Sequence, residues 1–141
     1  METLDAAVIG AGAVGLAVAA ALARPQLKVA VFERHRRHGL ETSSRSSEVV
    51  HAGFYYPPGS LKATLCVKGR RRIYELAGRH GIYAQRVGKL VVAEDEAGRA
   101  KLEALLAQGL ASGVEGLELI EGRAIALLTE GVSAAVALWS P

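Results

Sequence analysis

The chain has 141 residues, enough for one domain with a real core, because a chain of this size buries roughly two-thirds of its unfolded surface. Half of it is apolar and 22% is charged, which excludes a disordered or fibrous chain, and the 5% aromatic content leaves the core to Ala, Val and Leu. The net charge of +3 arises largely from "ERHRRH" and "KGRRR" rather than from a basic tail, and Cys66, the single cysteine, excludes an internal disulfide and fits a reducing compartment.

In chain order, Leu4 to Ile9 reads as a short buried strand, followed by "GAGAVG" and then by Val14, Ala17, Val18, Ala21 and Leu22 at helical spacing. The uncharged run from Ala6 to Ala23 covers 18 residues and by hydropathy alone resembles a membrane span or a signal peptide. Glu2 and Asp5 precede it where a signal peptide needs positive charge, and Gly10, Gly12 and Gly15 interrupt it. Pro25 ends the helix, and "KVAVF", Lys28 to Phe32, is a second strand that stops at Glu33. Strand, glycine turn, helix and strand make a βαβ unit of the dinucleotide-binding kind.

The residue types explain the chemistry. Gly10 lets the chain turn out of the strand, Gly12 has no side chain to keep a pyrophosphate away, and Gly15 allows the helix to pack on the sheet. Ala11, Ala13 and Val14 fill the rest of the cradle, where free N–H groups and the positive end of the helix dipole face the phosphates. Glu33, 18 residues after Gly15, is placed to accept hydrogen bonds from both ribose hydroxyls, and its charge repels a 2'-phosphate. Spacing alone leaves NAD and FAD open, since both contain ADP.

Arg34 to Ser47, "RHRRHGLETSSRSS", is polar and without period, and reads as a loop on the ligand side of the sheet. Its Thr42, Ser43, Ser44 and Ser46 offer hydroxyls, and Arg45 a fixed charge, to a pyrophosphate or a flavin edge. Arg34, Arg36 and Arg37 surround His35 and His38 and would repel a cation, so no metal site is expected. Beyond "SEVVHAGFYY", Ser60 to His80 reads as a helix with Leu61, Leu65, Ile73, Leu76 and Ala77 on its inner face and "KGRRR" on its wet face; without interleaved aromatics that run is not read as a nucleic-acid patch. "GKLVVAE" follows as a strand, Asp95 to Gln108 as a helix with Leu102, Leu105 and Leu106 inward, "GLELI" as a strand, "EGRAIALL" as a helical turn or two, and "AAVALW" as a last strand, expected to leave an unpaired or poorly covered edge.

The dinucleotide motif, the serine loop, "HAGFYYPPGSLKA" and "GKLVVA" together resemble the N-terminal part of FAD-dependent oxidoreductases of the D-amino acid oxidase type, and more closely the L-2-hydroxyglutarate dehydrogenases and oxidases. The dinucleotide motif is widely shared, whereas the "HAGFYYPPGSLKA" block is narrow. Ser46 stands where the family usually has Asn. The resemblance implies a Rossmann-like α/β FAD-binding domain with a parallel sheet and flanking helices in residues 1–80, the start of an α+β substrate domain in residues 81–141, and an N-terminal fragment of a longer enzyme. It also implies FAD as cofactor and oxidation of L-2-hydroxyglutarate or a similar 2-hydroxy acid by hydride transfer. An amino-acid or glycine oxidase of the same fold, or a dinucleotide-binding module without catalysis, stays open beside it.

Under that resemblance Ala52 and Gly53 border the flavin, His51 accepts the hydroxyl proton, an imidazole being suited to that at neutral pH, and Tyr55 and Tyr56 bind the substrate carboxylate. Oxygen or a membrane quinone is the expected electron acceptor. A cytoplasmic location is expected, with "KGRRR" able to meet the inner face of an anionic membrane.

Overall fold

The computed structural model describes residues 3–141, in which packing divides the chain into two compact units between Val49 and Val50. In the first unit, β1 (Ala6–Ile9), α1 (Ala13–Leu22) and β2 (Val29–Phe32) form the βαβ arrangement. β1 and β2 are parallel, with Ala6 opposite Val29 and Ile9 opposite Phe32. The Asp5 carboxylate accepts the Lys28 N–H at 2.8 Å and fixes where β2 begins. Gly10 N–H donates to Phe32 O at 2.7 Å and carries the ladder to the first glycine of the turn. Pro25 stands second in a tight turn closed by Leu27 N–H to Arg24 O at 3.0 Å, where its fixed φ is an advantage.

The uncharged run is therefore a strand, a turn and a helix of 10 residues. No helix among the described residues is long and apolar enough to cross a membrane. Among the described residues of this unit Val8 and Ala11 are the buried apolar ones, whereas Ile9, Val14 and Phe32 are exposed.

The second unit holds α2 (Leu61–His80), β3 (Lys89–Ala93), α3 (Glu96–Ala111), β4 (Glu118–Glu121), α4 (Arg123–Leu128) and β5 (Val136–Ser140). Both long helices start on side-chain caps: Ser60 Oγ accepts the Ala63 N–H at 3.2 Å, and Asp95 Oδ1 accepts the Gly98 N–H at 2.7 Å. Gly81, with φ of 64°, closes α2 in the left-handed conformation that glycine adopts without a Cβ penalty.

The sheet order is β3-β5-β4, all antiparallel, with Leu138 opposite both Val91 and Leu119. This corrects the expectation that the last strand leaves an open edge: β5 is the central strand, hydrogen-bonded on both sides. Its Val136, Ala137 and Leu138 are fully buried, and Val136 and Leu138 pack with Phe54, Leu102, Val114 and Leu117. The edges fall instead on β3 and β4, because both neighbours precede β5 in sequence.

The inner face of α2 is a second correction. Ala63 and Ala77 are buried and Cys66, Val67, Arg70 and Tyr74 are half-buried, while Leu61, Leu65, Ile73 and Leu76 are exposed. Residues 63, 67, 70, 74 and 77 share one stripe at helical spacing, and its small members let the helix approach closely. Apolarity alone points to the leucines, whereas the contact needs small residues. The inward placement of Leu102, Leu105 and Leu106 on α3 agrees with the sequence reading: Leu102 is buried and the other two pack against the core.

Leu138→Ala removes a fully buried side chain from the central strand. It should cost about 2–5 kcal/mol in urea denaturation followed by circular dichroism; a change within error would mean that β5 is not the centre of this core.

Candidate functional site

The first group of candidate residues lies in the first unit. Gly10 has φ of 96°, a conformation that residues with a Cβ seldom adopt, and it aims its carbonyl across the turn at Gly15. A Cβ on Gly15 would stand 2.0 Å from Gly10 O and 3.5 Å from Val8 Cγ1. The third glycine is thus required by the turn itself as well as by packing on β1. A Cβ on Gly12 would stand 3.1 Å from Ser43 Oγ.

Ser43 is the member of the serine loop that reaches the cradle. Its hydroxyl accepts the Ala13 N–H at 2.9 Å, at the start of α1, where Gly12 as N-cap has no side chain to do so. Within the expected loop, Thr42–Arg45 form one turn of 3-10 helix, which the sequence reading did not anticipate. Ser44 Oγ donates to Leu40 O and Glu41 O at 2.8 and 2.9 Å, and Ser46 Oγ accepts the Glu48 N–H at 3.4 Å, so these hydroxyls serve the local turn. Thr42, Arg45 and Val14 are exposed. Gly39 N–H donates to Ala11 O at 2.9 Å, tying the start of the loop to the cradle.

Glu33 is where the spacing puts it. Its Oε2 accepts the Ala11 N–H at 2.7 Å and its Oε1 the His35 N–H at 2.9 Å. These bonds, the His35 amide foremost and the Ala11 amide next, hold its carboxyl below the ordinary 4.5. Arg34 is paired with Glu41, and His35 Nε2 lies 2.6 Å from the same carboxylate. His35 and then Arg34 hold the Glu41 carboxyl down as well. Sequence reasoning missed Glu41, because a contact within an aperiodic loop has no spacing that announces it. Among the described residues no cluster of three or more His, Cys, Asp or Glu is arranged to hold a metal.

The second group lies in the second unit. His51 is exposed, and among the described residues its ring makes no hydrogen bond. Ala52 packs against the core, and Gly53 is buried with φ of 108°, where a Cβ would meet Cys66 Cβ at 3.1 Å and Ala63 O at 3.3 Å. Gly53 is therefore glycine because α2 runs against it. Phe54 anchors the segment: it is 2% exposed, and its carbonyl accepts from Gln108 Nε2 at 2.8 Å. Tyr55 stacks on Phe54 with centroids 4.2 Å apart, and Tyr56 is half-buried.

A model of the FAD dependent oxidoreductase family, DAO, matches residues 5–141. The chain belongs to this family. Among similar proteins, L-2-hydroxyglutarate dehydrogenase, mitochondrial, of Arabidopsis thaliana is 46% identical over 121 residues, covering 86% of this chain and 25% of that protein. The same-named proteins of Caenorhabditis elegans and Homo sapiens are 38% and 40% identical, covering 97% and 85% of this chain but 32% and 26% of theirs. This DAO chain thus spans between a quarter and a third of the length of these relatives. Among solved structures, a dithionite-reduced L-alpha-glycerophosphate oxidase from Mycoplasma pneumoniae with FAD bound matches with a TM-score of 0.88 at 29% identity, covering 99% of this chain and 38% of that one. The expected α/β FAD-oxidoreductase fold thereby stands.

The relatives' names overturn the expected cytoplasmic location, since those of Arabidopsis thaliana, Bos taurus and Homo sapiens are all called mitochondrial.

Gly15→Ala forces its new methyl onto the Gly10 carbonyl and should destabilise the first unit by about 3 kcal/mol in urea denaturation; wild-type stability would mean that the turn is not closed this tightly. Because the Glu33 pKa is lowered on folding, its stabilisation is fully present above the ordinary 4.5 and is lost below it, as pH falls through the lower pKa of the folded state. Glu33→Gln should therefore be less stable than wild type near neutrality, with the gap narrowing in urea melts run from about pH 7 down to about pH 3. A gap independent of pH would exclude the charge as its source.

Proposed function

We propose that the protein carrying this chain is an FAD-dependent dehydrogenase or oxidase that converts L-2-hydroxyglutarate, or a closely similar 2-hydroxy acid, into the 2-oxo acid. The observation that carries the proposal is the joint occurrence of a glycine cradle with an ionised Glu33 after β2 and relatives that share one enzyme name at 37–46% identity. That shared name favours a hydroxy acid over an amino acid or glycine as substrate, and favours an enzyme over a non-catalytic nucleotide module.

The residues present fit the ADP part of FAD. A Cβ on Gly15 would strike the cradle backbone, so that wall must stay bare; the Ala13 N–H faces a hydroxyl oxygen as it would face a phosphate oxygen; and Glu33 offers a charged acceptor beside Ala11. Gly10, Ala11, Gly12, Ala13, Val14 and Gly15 would line the pyrophosphate, Glu33 and Arg34 the ribose side, and Thr42, Ser43, Ser44, Arg45 and Ser46 the loop beside it. Residues 1–80 would then belong to cofactor binding and residues 81–141 to the substrate domain, a functional division separate from the packing boundary at Val49 and Val50.

When bound, FAD supplies the two-electron acceptor for the hydride that leaves the substrate carbon. The task of this chain is the proton. The exposed His51 imidazole takes it from the substrate hydroxyl, so that the carbonyl forms as the C–H bond breaks. Tyr55 and Tyr56 hold the carboxylate end from the turn anchored by Phe54. Oxygen or a membrane quinone re-oxidises the cofactor in this reading. A quinone would be met by peripheral association through Lys68 and Arg72, since Arg70 and Arg71 are drawn to Glu115 at 3.6 and 2.5 Å.

Anaerobic addition of L-2-hydroxyglutarate to the purified protein should bleach its visible flavin absorbance, and glycine should not. His51→Ala should slow this reduction by at least about tenfold while the bound flavin content stays the same. A flavin spectrum indifferent to L-2-hydroxyglutarate would overturn the proposed substrate; an unchanged rate in the variant would remove His51 as the base.

A further inference from the structure

The consecutive aromatic residues Phe54, Tyr55 and Tyr56 divide between core and surface. Phe54 is the anchor, with its ring in the core and its carbonyl held by Gln108 at 2.8 Å. Helix α3 passes so close that a Cβ on Gly109 would lie 2.8 Å from Phe54 Cβ. Tyr56 N–H donates to Gly53 O at 3.3 Å and closes the turn. The two tyrosines thus start from a fixed base, which lowers the entropy lost when they meet a ligand.

Each tyrosine carries a lysine ammonium over its ring, and the two lysines come from different elements. Lys62 Nζ, from the first turn of α2, lies 4.6 Å from the Tyr56 centroid, and Lys89 Nζ, from the first residue of β3, lies 4.7 Å from that of Tyr55. A ring below an ammonium group attracts it without neutralising it, and leaves the outward N–H donors unused. Among the described residues, six ion pairs employ arginines and a histidine, and none employs Lys62 or Lys89. Both lysines are exposed. Two cations held on the rings of consecutive residues, neither in an ion pair among the described residues, offer donors suited to an anion with more than one negative charge.

We propose that Lys62 and Lys89, seated on Tyr56 and Tyr55, form a recognition platform for the carboxylates of a small dicarboxylic acid. The inference deepens the proposed function and rests on it for the reaction, though not for the anion binding. It assigns to this platform the choice of a 2-hydroxy acid with two carboxylates over one with a single carboxylate. His51, four residues before Tyr55, belongs to the same short segment, so the proton acceptor and the two rings of the platform are delivered by one stretch of chain.

Glutarate, a dicarboxylate without the reacting hydroxyl, is the direct probe. Titrated calorimetrically into the flavin-loaded protein, it should bind where butyrate does not. Lys62→Met and Lys89→Met should each weaken it by about tenfold, and Lys62→Arg and Lys89→Arg should restore it, since arginine keeps both the charge and the ring contact. In turnover of L-2-hydroxyglutarate the methionine variants should raise KM by about tenfold with kcat held within about twofold. Absence of glutarate binding, or a double methionine variant with unchanged glutarate affinity and KM, overturns the platform. The two proposals separate cleanly: lysine-dependent glutarate binding without any hydroxy-acid turnover keeps the platform and removes the reaction, whereas full turnover indifferent to both lysines does the reverse.

Discussion

In the first unit everything turns on how closely two backbone segments approach each other. The Gly10 carbonyl occupies the space in which a Cβ on residue 15 would have to sit, with only 2.0 Å between them. That contact brings the start of α1 back over the end of β1, and the start of α1 is where unpaired N–H groups and the positive end of the helix dipole lie. Were the turn wider, the N–H of Ala13 would no longer meet Ser43, and the amide of Ala11 would no longer meet Glu33. The cradle is thus a consequence of packing without side chains, and its electrostatics follow from its geometry.

The second unit solves a different problem with the same means. A long helix, α2, and a turn bearing Phe54 must both lie close to neighbouring backbone, and the contacts are made by Gly53, Ala63, Ala77 and Gly109. Small residues at these places let a large ring, Phe54, enter the core beside Leu102 and Leu138. The buried ring in turn fixes Tyr55 and Tyr56 at the surface. Core packing and an exposed aromatic surface are therefore joined in three consecutive residues, so that damage to the Phe54 pocket would displace the tyrosines as well.

Charge is distributed with comparable economy. The carboxylates of Glu33 and Glu41 are both held in ionised form, one by backbone amides and the other by His35 and Arg34, within a loop that carries a surplus of cations. Arg70 and Arg71 share Glu115, and Arg99 meets Glu121 at 2.5 Å. Exposed pairs of this kind contribute little stability each, so their effect is chiefly to fix where loops and strand ends lie. Among the cations that these pairs leave without a carboxylate, Lys62 and Lys89 differ in lying over the rings of consecutive tyrosines.

The sequence by itself determined the order and nature of nearly every element, because periodicity, glycine spacing and cap residues are local. Ser60 and Asp95 announce their helices, Pro25 its turn, and the glycines at positions 10, 12 and 15 with Glu33 their cradle. Only the tertiary structure decided what depends on residues far apart in the chain. It put β5 in the middle of its sheet, because both of its partners come earlier in the chain and flank it. It turned the alanine stripe of α2 inward in place of the leucines, because a close contact favours small side chains over apolar ones. It chose Ser43 from among four neighbouring hydroxyl residues and laid Lys62 and Lys89 on Tyr56 and Tyr55, contacts between separate elements that no spacing in the chain encodes.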